Sequence, residues 1–207
     1  MVRKHYHARM ARRGSYAKGI AKREEILSAA LEVIARNGYG RASVRELADA
    51  VGLSQAGLLH YFASKEELFA EILRKRDEVD RETLDAAHAD ERLSMMDGFV
   101  EVMRHNADVP GLVQLYARLS AEATEADHAA RPFFTERFRL FRELSVESIR
   151  EGQQDGTIRA DLDAERIASL MLAAADGLQT QWLMDPTIDM AEHIEYLLTL
   201  LKPPAAA

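Results

Sequence analysis

The chain contains 207 residues, of which 27 are Lys or Arg and 34 are Asp or Glu, giving a formal net charge of −7. Its length allows one substantial hydrophobic core or two small ones. The absence of cysteine excludes disulfide and thiolate chemistry and fits a cytoplasmic location. No apolar run reaches the ~20 residues of a membrane-spanning helix, so we expect no membrane partner.

Charge is distributed unevenly along the chain. Residues 1–76 carry 15 Lys and Arg against 8 Asp and Glu, whereas residues 77–207 carry 12 against 26. A basic segment attracts the phosphates of nucleic acid, and an acidic remainder discourages DNA from binding at the wrong end of the molecule. The distribution therefore favours double-stranded DNA as a partner despite the negative total.

Residues 1–18 form a basic arm that lacks the apolar centre of a secretory signal. Two roles stay open for this arm: contact with the DNA backbone or a minor groove, or no role as a dispensable terminus. Beyond it, apolar residues at helical spacing predict a first helix from about Ala17 to Asn37, ended by Gly38. The cations of the arm are Arg3, Lys4, Arg9, Arg12, Arg13 and Lys18.

The segment after this helix carries the signals of a helix-turn-helix. Ser43 and Glu46 have the spacing of a capping box, and apolar residues follow at positions 44, 47, 48 and 51. Gly52 occupies the position where helices often end in the left-handed conformation. Ser54 is a suitable N-cap for a second helix that reaches about Ala63. Two short helices joined in this way are how many proteins insert a helix into the major groove.

The outward face of the second helix is unusual for a surface that contacts only water. Gly57 costs ~1 kcal/mol relative to alanine inside a helix, and small residues let the backbone approach another surface closely. Glutamine can pair with an adenine edge, and tyrosine and histidine can donate to phosphates. An ordinary helical hairpin is the alternative interpretation. The outward residues are Gln55, Ala56, Gly57, Leu59, His60 and Tyr61.

The stretch GLSQAGLLHYFASKEELF at positions 52–69, within residues 22–69, resembles the TetR family of one-component bacterial regulators. The resemblance implies that Ser43, Tyr61 and Lys65 hold phosphates and that residues 55, 56, 57 and 60 face bases or backbone. The chain departs from many relatives at Leu59, where they carry a tyrosine. The predicted DNA-binding set is Ser43, Arg45, Ser54, Gln55, Ala56, Gly57, Leu59, His60, Tyr61 and Lys65.

The rest of the chain is predicted to be helical, with no strand. A second capping box at Ser64 and Glu67 starts a long helix whose charged far half, to about Asp90, connects two parts of the molecule. Further helices are predicted near residues 92–106, 112–124, 132–153, 164–184 and 190–201, the fourth of these capped by Asp163. The fold class is therefore all-α, with an N-terminal three-helix helix-turn-helix domain and a C-terminal helical ligand-binding and dimerisation domain. We place the boundaries at 1–18, 19–69, 70–202 and 203–207.

The last two helices have broad apolar stripes. Such helices can pair with a second copy of themselves as a four-helix bundle, as the resembled family does. The alternative is that both helices belong to the core of a single chain. The predicted homodimer interface is Leu170, Ala174, Leu178, Trp182, Ile194, Leu197, Leu198 and Leu201.

The resemblance also implies an effector cavity in the C-terminal half, and methionine and aromatic residues there suit a mostly apolar small molecule. Asp176 lies within an apolar helix, where a buried carboxylate needs a partner. Plain hydrophobic core, or a regulator without any ligand, are the alternatives. The candidate ligand residues are Met95, Phe99, Met103, Tyr116, Arg118, Phe134, Phe138, Asp176 and Gln179.

No residue pattern indicates catalysis, a cofactor or a bound metal. The sequence lacks a Gly-rich phosphate loop, a nucleophile elbow and the ligand spacing of a zinc site. We therefore expect no enzyme but a dimeric transcriptional regulator that binds a palindromic operator, most simply a repressor released by a small molecule. A ligand-independent or architectural DNA-binding protein is one alternative, and a small helical enzyme is another.

Overall fold

The computed structural model describes the backbone of residues 2–39, 43–87 and 94–204, and the side chains of residues 18–39, 43–84 and 94–204. Every regular element within these ranges is an α-helix, which confirms the predicted all-α class. No helix in the described ranges is both long and apolar enough to span a bilayer. The helices are α1 Val2–Asn37, α2 Val44–Ala50, α3 Gln55–Leu59, α4 Lys65–Ala87, α5 Met95–Asn106, α6 Pro110–Glu122, α7 Arg131–Asp155, α8 Ala164–Trp182 and α9 Met190–Thr199.

Two helix boundaries differ from the sequence prediction. Helix α1 begins at Val2 and not near Ala17, because apolar periodicity reports burial, whereas Arg, Lys, Ala and Met form helix without it. Helix α3 ends at Leu59, since the amide of Tyr61 bonds the carbonyl of Leu58 at 3.0 Å in a tighter turn. Side chains of the basic arm before Lys18 lie outside the described residues, so both roles of the arm stay open.

The predicted caps of the helix-turn-helix are present. The Ser43 hydroxyl accepts from the Glu46 amide at 3.2 Å, and the Ser43 amide donates to the Glu46 carboxylate at 2.9 Å. Gly52 has φ +66, in the left-handed region. The second capping box is altered, because the carboxylate of Glu67 takes the amide of Ala63 at 2.6 Å. These local bonds fix both ends of the turn before any long-range packing is considered.

The apolar core is divided into two clusters, and the first of them crosses the predicted domain boundary. The first cluster contains buried residues of α1 to α4 together with Leu112, Leu115 and Leu119 of α6 and Phe133 and Phe134 of α7. The second unites α5, the distal part of α7, α8 and α9, together with one residue of α6. Below, α1 to α3 with the start of α4 are called the head, and the remaining helices are called the body. Helix α6 therefore belongs to the body in sequence but packs mainly with the head.

Candidate functional site

The outer face of α3 is open to solvent. Gln55, Ala56 and His60 are exposed, whereas Leu58 and Phe62 on the inner side are buried in the head. The Ser54 hydroxyl caps α3 by accepting from the Gly57 amide at 3.0 Å. The arrangement presents one polar, small-residue surface at the end of a rigid support, which is the geometry that base reading requires.

Gly57 preserves the cap at the start of α3. A Cβ atom at this position would lie 3.2 Å from the Ser54 hydroxyl oxygen, closer than ordinary van der Waals contact. Any larger residue would therefore press on the cap that starts α3. The glycine keeps the cap intact and at the same time leaves the backbone of α3 accessible from outside.

The predicted phosphate-binding residues surround this surface but differ in their freedom. Lys65 is exposed and forms no ion pair with any described residue, its ammonium lying 5.4 Å from the Phe69 ring centroid. Arg45 is exposed and only 4.0 Å from Asp49. Tyr61 is half-buried against the head. Leu59 is also half-buried and packs on the head core, so part of its surface is committed to the fold.

Arg23 on α1 holds the segment that follows α3, a role that the sequence did not indicate. Its guanidinium donates to the backbone carbonyl of Tyr61 and lies 4.3 Å from the Phe62 ring centroid. Carboxylates of Glu67 and Glu71 on α4 lie 3.7 Å and 3.6 Å from the same guanidinium. One side chain thus ties α1, the end of α3 and α4 together. Its only sequence signal is a cation five residues after the basic arm and shortly before the apolar stripe, a position that many surface arginines share.

We expect Arg23→Ala to lower both stability and DNA affinity. The lost charge-assisted bond and cation–π contact contribute roughly 1–2 kcal/mol together, which corresponds to a fall of a few degrees in Tm for a chain of this size. Thermal unfolding and binding to a labelled duplex measure the two effects. Arg36→Ala is the control, since Arg36 lies on the same helix and makes only an exposed pair with Glu32. Equal behaviour of the two variants would contradict the assigned role.

A layer of charged and polar side chains separates the two apolar clusters. Arg76 on α4 is 4% exposed, donates to the amide oxygen of Asn106 on α5, and lies 3.4 Å from Asp80. Arg137 on α7 lies 3.2 Å from Asp77, which fixes α7 to α4. The Nε atoms of both arginines make no hydrogen bond within the described part of the chain. The Arg76–Asp80 pair is largely desolvated, so removal of either partner would leave a buried charge uncompensated.

Asp176 on α8 is the one carboxylate of this layer without a close basic partner among the described residues. It accepts a hydrogen bond from the Tyr116 hydroxyl of α6 at 2.9 Å. Burial raises the pKa of Asp176, and the bond from Tyr116 and the charge of Arg137 only partly oppose this shift. Burial also raises the pKa of the Tyr116 hydroxyl. The sequence prediction that this carboxylate needs a partner therefore finds its answer in Tyr116.

The raised pKa of Asp176 predicts a pH-dependent effect of Asp176→Asn. A carboxyl group whose pKa is raised by folding costs stability as the pH rises from the unfolded value, about 3.9, through the folded value. The neutral amide avoids this cost while still accepting from Tyr116. We expect the variant to have a higher Tm than the parent at pH 7, with the gain shrinking toward pH 4.

Asp185→Asn is the control for this measurement. Hydrogen bonds from Thr187 lower the pKa of the exposed Asp185, so its ionised form is favoured and its replacement brings no gain in Tm at any pH. A lower Tm for Asp176→Asn at pH 7 would contradict the assignment, because it would mean that the fold prefers the ionised carboxylate at position 176.

Comparison with known proteins covers both halves of the chain. Residues 26–72 match the family model described as bacterial regulatory proteins, tetR family, and residues 101–202 match the BetI-type transcriptional repressor, C-terminal. The HTH-type transcriptional repressor AcnR of Corynebacterium efficiens is 30% identical over 190 residues, covering 90% of this chain and 96% of that protein. The chain belongs to the TetR family.

Two solved structures show the same fold as this TetR-family chain. A putative transcriptional regulator from Saccharomonospora viridis in complex with choline has a TM-score of 0.65 and 24% identity, covering 86% of this chain and 94% of its own. The regulator FadR from Bacillus subtilis in complex with stearoyl-CoA has a TM-score of 0.60 and 22% identity, covering 86% and 97%. At these identities the likeness establishes the fold alone.

The candidate ligand residues of this TetR-family chain do not converge on one place. Tyr116, Phe134 and Phe138 pack in the first cluster, whereas Phe99 and Met103 lie in the second. Met95 and Gln179 are half-buried and buried, respectively. Asp176 lies at the polar layer between the clusters. Three surface cavities have their walls within residues 139–165, 153–204 and 173–200. No candidate ligand residue lines any of these three cavities.

Arg118 is a correction to the candidate ligand set. Its side chain is exposed, forms a pair with Glu122 at 3.3 Å and lies 5.9 Å from the Tyr39 ring centroid, at the junction with the head. The outward side of α6 carries it away from the buried aromatic residues. The apolar residues around position 118 do not indicate on which side of α6 the Arg118 side chain lies.

Three of the eight predicted interface residues are also corrected. Trp182, Ile194 and Leu201 are 8%, 0% and 5% exposed, because they pack in the second cluster of their own chain. Leu170 is exposed, and Ala174, Leu178, Leu197 and Leu198 are half-buried. A shallow groove of about 380 Å³ runs along the exposed side of α8 and α9. Its walls are Ala173, Ala174, Gly177, Leu178, Gln181, His193, Tyr196, Leu197 and Leu200, called the seam face below.

Proposed function

We propose that this TetR-family chain is a dimeric transcriptional repressor that binds a palindromic operator and releases it when a small molecule occupies the body. The observation that carries the proposal is the exposed outer face of α3, on a hairpin whose helices are both capped and whose inner side is buried. The family membership and the repressor relative support it. Since its partner is operator DNA, we place the protein in the cytoplasm. Residues 19–69 would bind DNA, and residues 70–202 would dimerise and bind the effector.

The contacts with DNA divide into two kinds. Gln55 reads a base edge, while Ala56 and Gly57 allow close approach of the backbone and His60 lies at the far end of the same face. Ser43, Arg45, Ser54, Tyr61 and Lys65 surround that face and would hold phosphates, with Leu59 offering an apolar contact to a thymine methyl. Lys65 is the strongest candidate for a phosphate, because it is exposed and forms no ion pair with any described residue.

Selection of binding sites from a random duplex pool tests the proposal and the division of contacts. The parent should enrich a palindrome with half-sites about one helical turn apart. Lys65→Ala should weaken binding to all sequences alike and reduce the salt slope by about one, whereas Gln55→Ala should change the enriched bases. Lys202→Ala is the matched control, since Lys202 is exposed at the acidic end of the chain.

Each outcome of this selection has a defined meaning. No enrichment by the parent, with only salt-sensitive binding, would favour an architectural DNA-binding protein. An unchanged site preference for Gln55→Ala would remove that residue from base reading, and a Lys65→Ala variant that behaves like Lys202→Ala would remove Lys65 from phosphate binding.

We propose that dimerisation uses the seam face. Leu200 of this face is 54% exposed, and Leu170, one turn before the face on α8, is 60% exposed, which is costly for leucine unless another surface covers them. A Cβ atom at Gly177 would meet no atom within 4 Å, so this part of α8 is open to close approach of a second helix. Small residues at positions 173, 174 and 177 leave room for the same helices of a partner chain.

Leu200→Glu should convert the dimer into a monomer. The substitution introduces a charge into the proposed interface of both partners, whereas Leu144→Glu changes an equally exposed leucine, 54% in each case, on α7. Gel filtration with light scattering should give half the mass for the first variant and an unchanged mass for the second. The reverse pattern would move the interface to α7, and two unchanged dimers would exclude the seam face.

We propose that the polar group of the effector contacts Asp176 and Tyr116. These two side chains join α6 to α8 at the layer between the apolar clusters, beside the rings of Phe134 and Phe138. A mostly apolar molecule with one polar end would fit such surroundings. It can weaken operator binding only by preferring a body conformation in which the two heads are wrongly spaced. The stearoyl-CoA and choline complexes of similar folds are consistent with a small-molecule effector.

A further inference from the structure

The head and the body touch backbone to backbone at the start of α6. Gly111 lies in the first turn of this helix and is buried against the end of α1. A Cβ atom at Gly111 would lie 2.3 Å from the carbonyl oxygen of Ile34, 2.8 Å from the Cα of Gly38 and 3.1 Å from the amide nitrogen of Tyr39. No side chain separates α6 from α1 at this point, so only glycine permits the observed approach.

The other side of the contact cannot easily give way. The Ile34 carbonyl already accepts from the Gly38 amide at 3.0 Å, and Gly38 has φ +78, which few other residues adopt. Tyr39 is held as well, since its ring meets Phe69 of α4 edge-on at 5.5 Å and lies 5.9 Å from the Arg118 guanidinium of α6. A methyl group at position 111 would therefore displace α6 from α1 as a whole.

The size of that displacement is set by ordinary contact distances. Ordinary contacts of a Cβ atom begin near 3.4 Å and contacts under 3.0 Å are essentially never found, so the 2.3 Å approach to the Ile34 carbonyl oxygen requires a shift of about 0.7 to 1.1 Å. Packed interiors transmit such a shift and do not absorb it, because they have little free volume. Helices α2 and α3 are attached to α1 by the core of the head, and they would move together with that helix.

We propose that Gly111 is a positioning residue for operator binding. It lets α6 pack directly against the end of α1 and thereby sets the separation of the two α3 helices in the dimer. The inference rests on the proposed dimeric DNA-binding function and adds to it a residue that contacts neither DNA nor effector. A larger residue at position 111 changes the distance between heads while leaving each head able to bind phosphate.

The experiment compares Gly111→Ala with Gly19→Ala against a set of operators that differ only in the number of base pairs between half-sites. Gly19 is the matched control, because it is also a helical glycine but its added Cβ atom would meet nothing within 4 Å. We expect Gly111→Ala to remain a folded dimer with salt-sensitive nonspecific binding, to bind the parental spacing at least tenfold more weakly, and to prefer a different spacing. Gly19→Ala should keep the parental preference.

Two results would overturn the inference. One is unchanged affinity of Gly111→Ala for the parental spacing, and the other is an equal loss at every spacing, which would indicate a merely structural role. If Gly111→Ala does not fold, Arg118→Ala decides: this exposed residue supports Tyr39, and its removal should broaden the spacing preference, whereas an unaltered preference contradicts the proposal. Failure of the parent itself to select a palindrome would refute the proposed function, and is thereby distinguishable from failure of this inference.

Discussion

The packing of α6 against the head is the constraint on which the rest of the structure depends. A unit of roughly 50 residues buries so little apolar surface that it is only marginally stable by itself. The head here completes its core with Leu112, Leu115 and Leu119 of α6, each of which is buried. Full burial of a leucine contributes roughly 1.5–3 kcal/mol, so this single helix adds a substantial share of a typical folding free energy. Stability of the head and its attachment to the body therefore have the same physical origin.

The polar layer has a different effect, because it contributes register and not only stability. Exposed pairs such as Arg36 with Glu32 add little free energy. The Arg76–Asp80 pair is largely buried and the Arg137–Asp77 pair is half-buried, so a slip of α4 past α5 or α7 would leave a desolvated charge without its partner. Helix α4 is consequently held in one position by the body at its middle and by the head at its start. Bending or sliding of this helix requires those pairs to separate.

Local chemistry explains which parts of the fold could be predicted from the sequence. Caps and turns depend on residues three or four apart, and the predicted roles of Ser43, Gly52, Ser54 and Asp163 are confirmed by bonds or dihedral angles in the structure. Apolar stripes gave the helices of the body to within a few residues. The base-facing and phosphate-facing roles within α2 to α4 stay predictions, although the exposure of Gln55 and Lys65 agrees with them.

Long-range contacts explain the errors and omissions. A broad apolar stripe does not tell which of its sides meets a neighbour in the same chain. It predicts an interface for Trp182 and Ile194, whereas both pack in the second cluster of their own chain. Arg23 reaches Tyr61 across 38 positions, and Gly111 meets Ile34 across 77. No periodicity connects such residues, and a glycine after a proline has an adequate local explanation as the start of a helix. The tertiary role of each becomes visible only when the partner is known.

Helix α6 contacts both the head and the proposed effector site. Gly111 and Tyr116 are five residues apart on α6, about 7.5 Å along its axis, and face α1 and α8 respectively. The apolar contacts of α6 with the head are extensive, whereas its polar contact with α8 is the single bond from Tyr116 to Asp176 among the described residues. A ligand group that competes for Asp176 would therefore release α6 from α8 more readily than from α1. When α6 moves, the head moves with it, because the close contact at Gly111 leaves no free space between α6 and α1 that could absorb the motion.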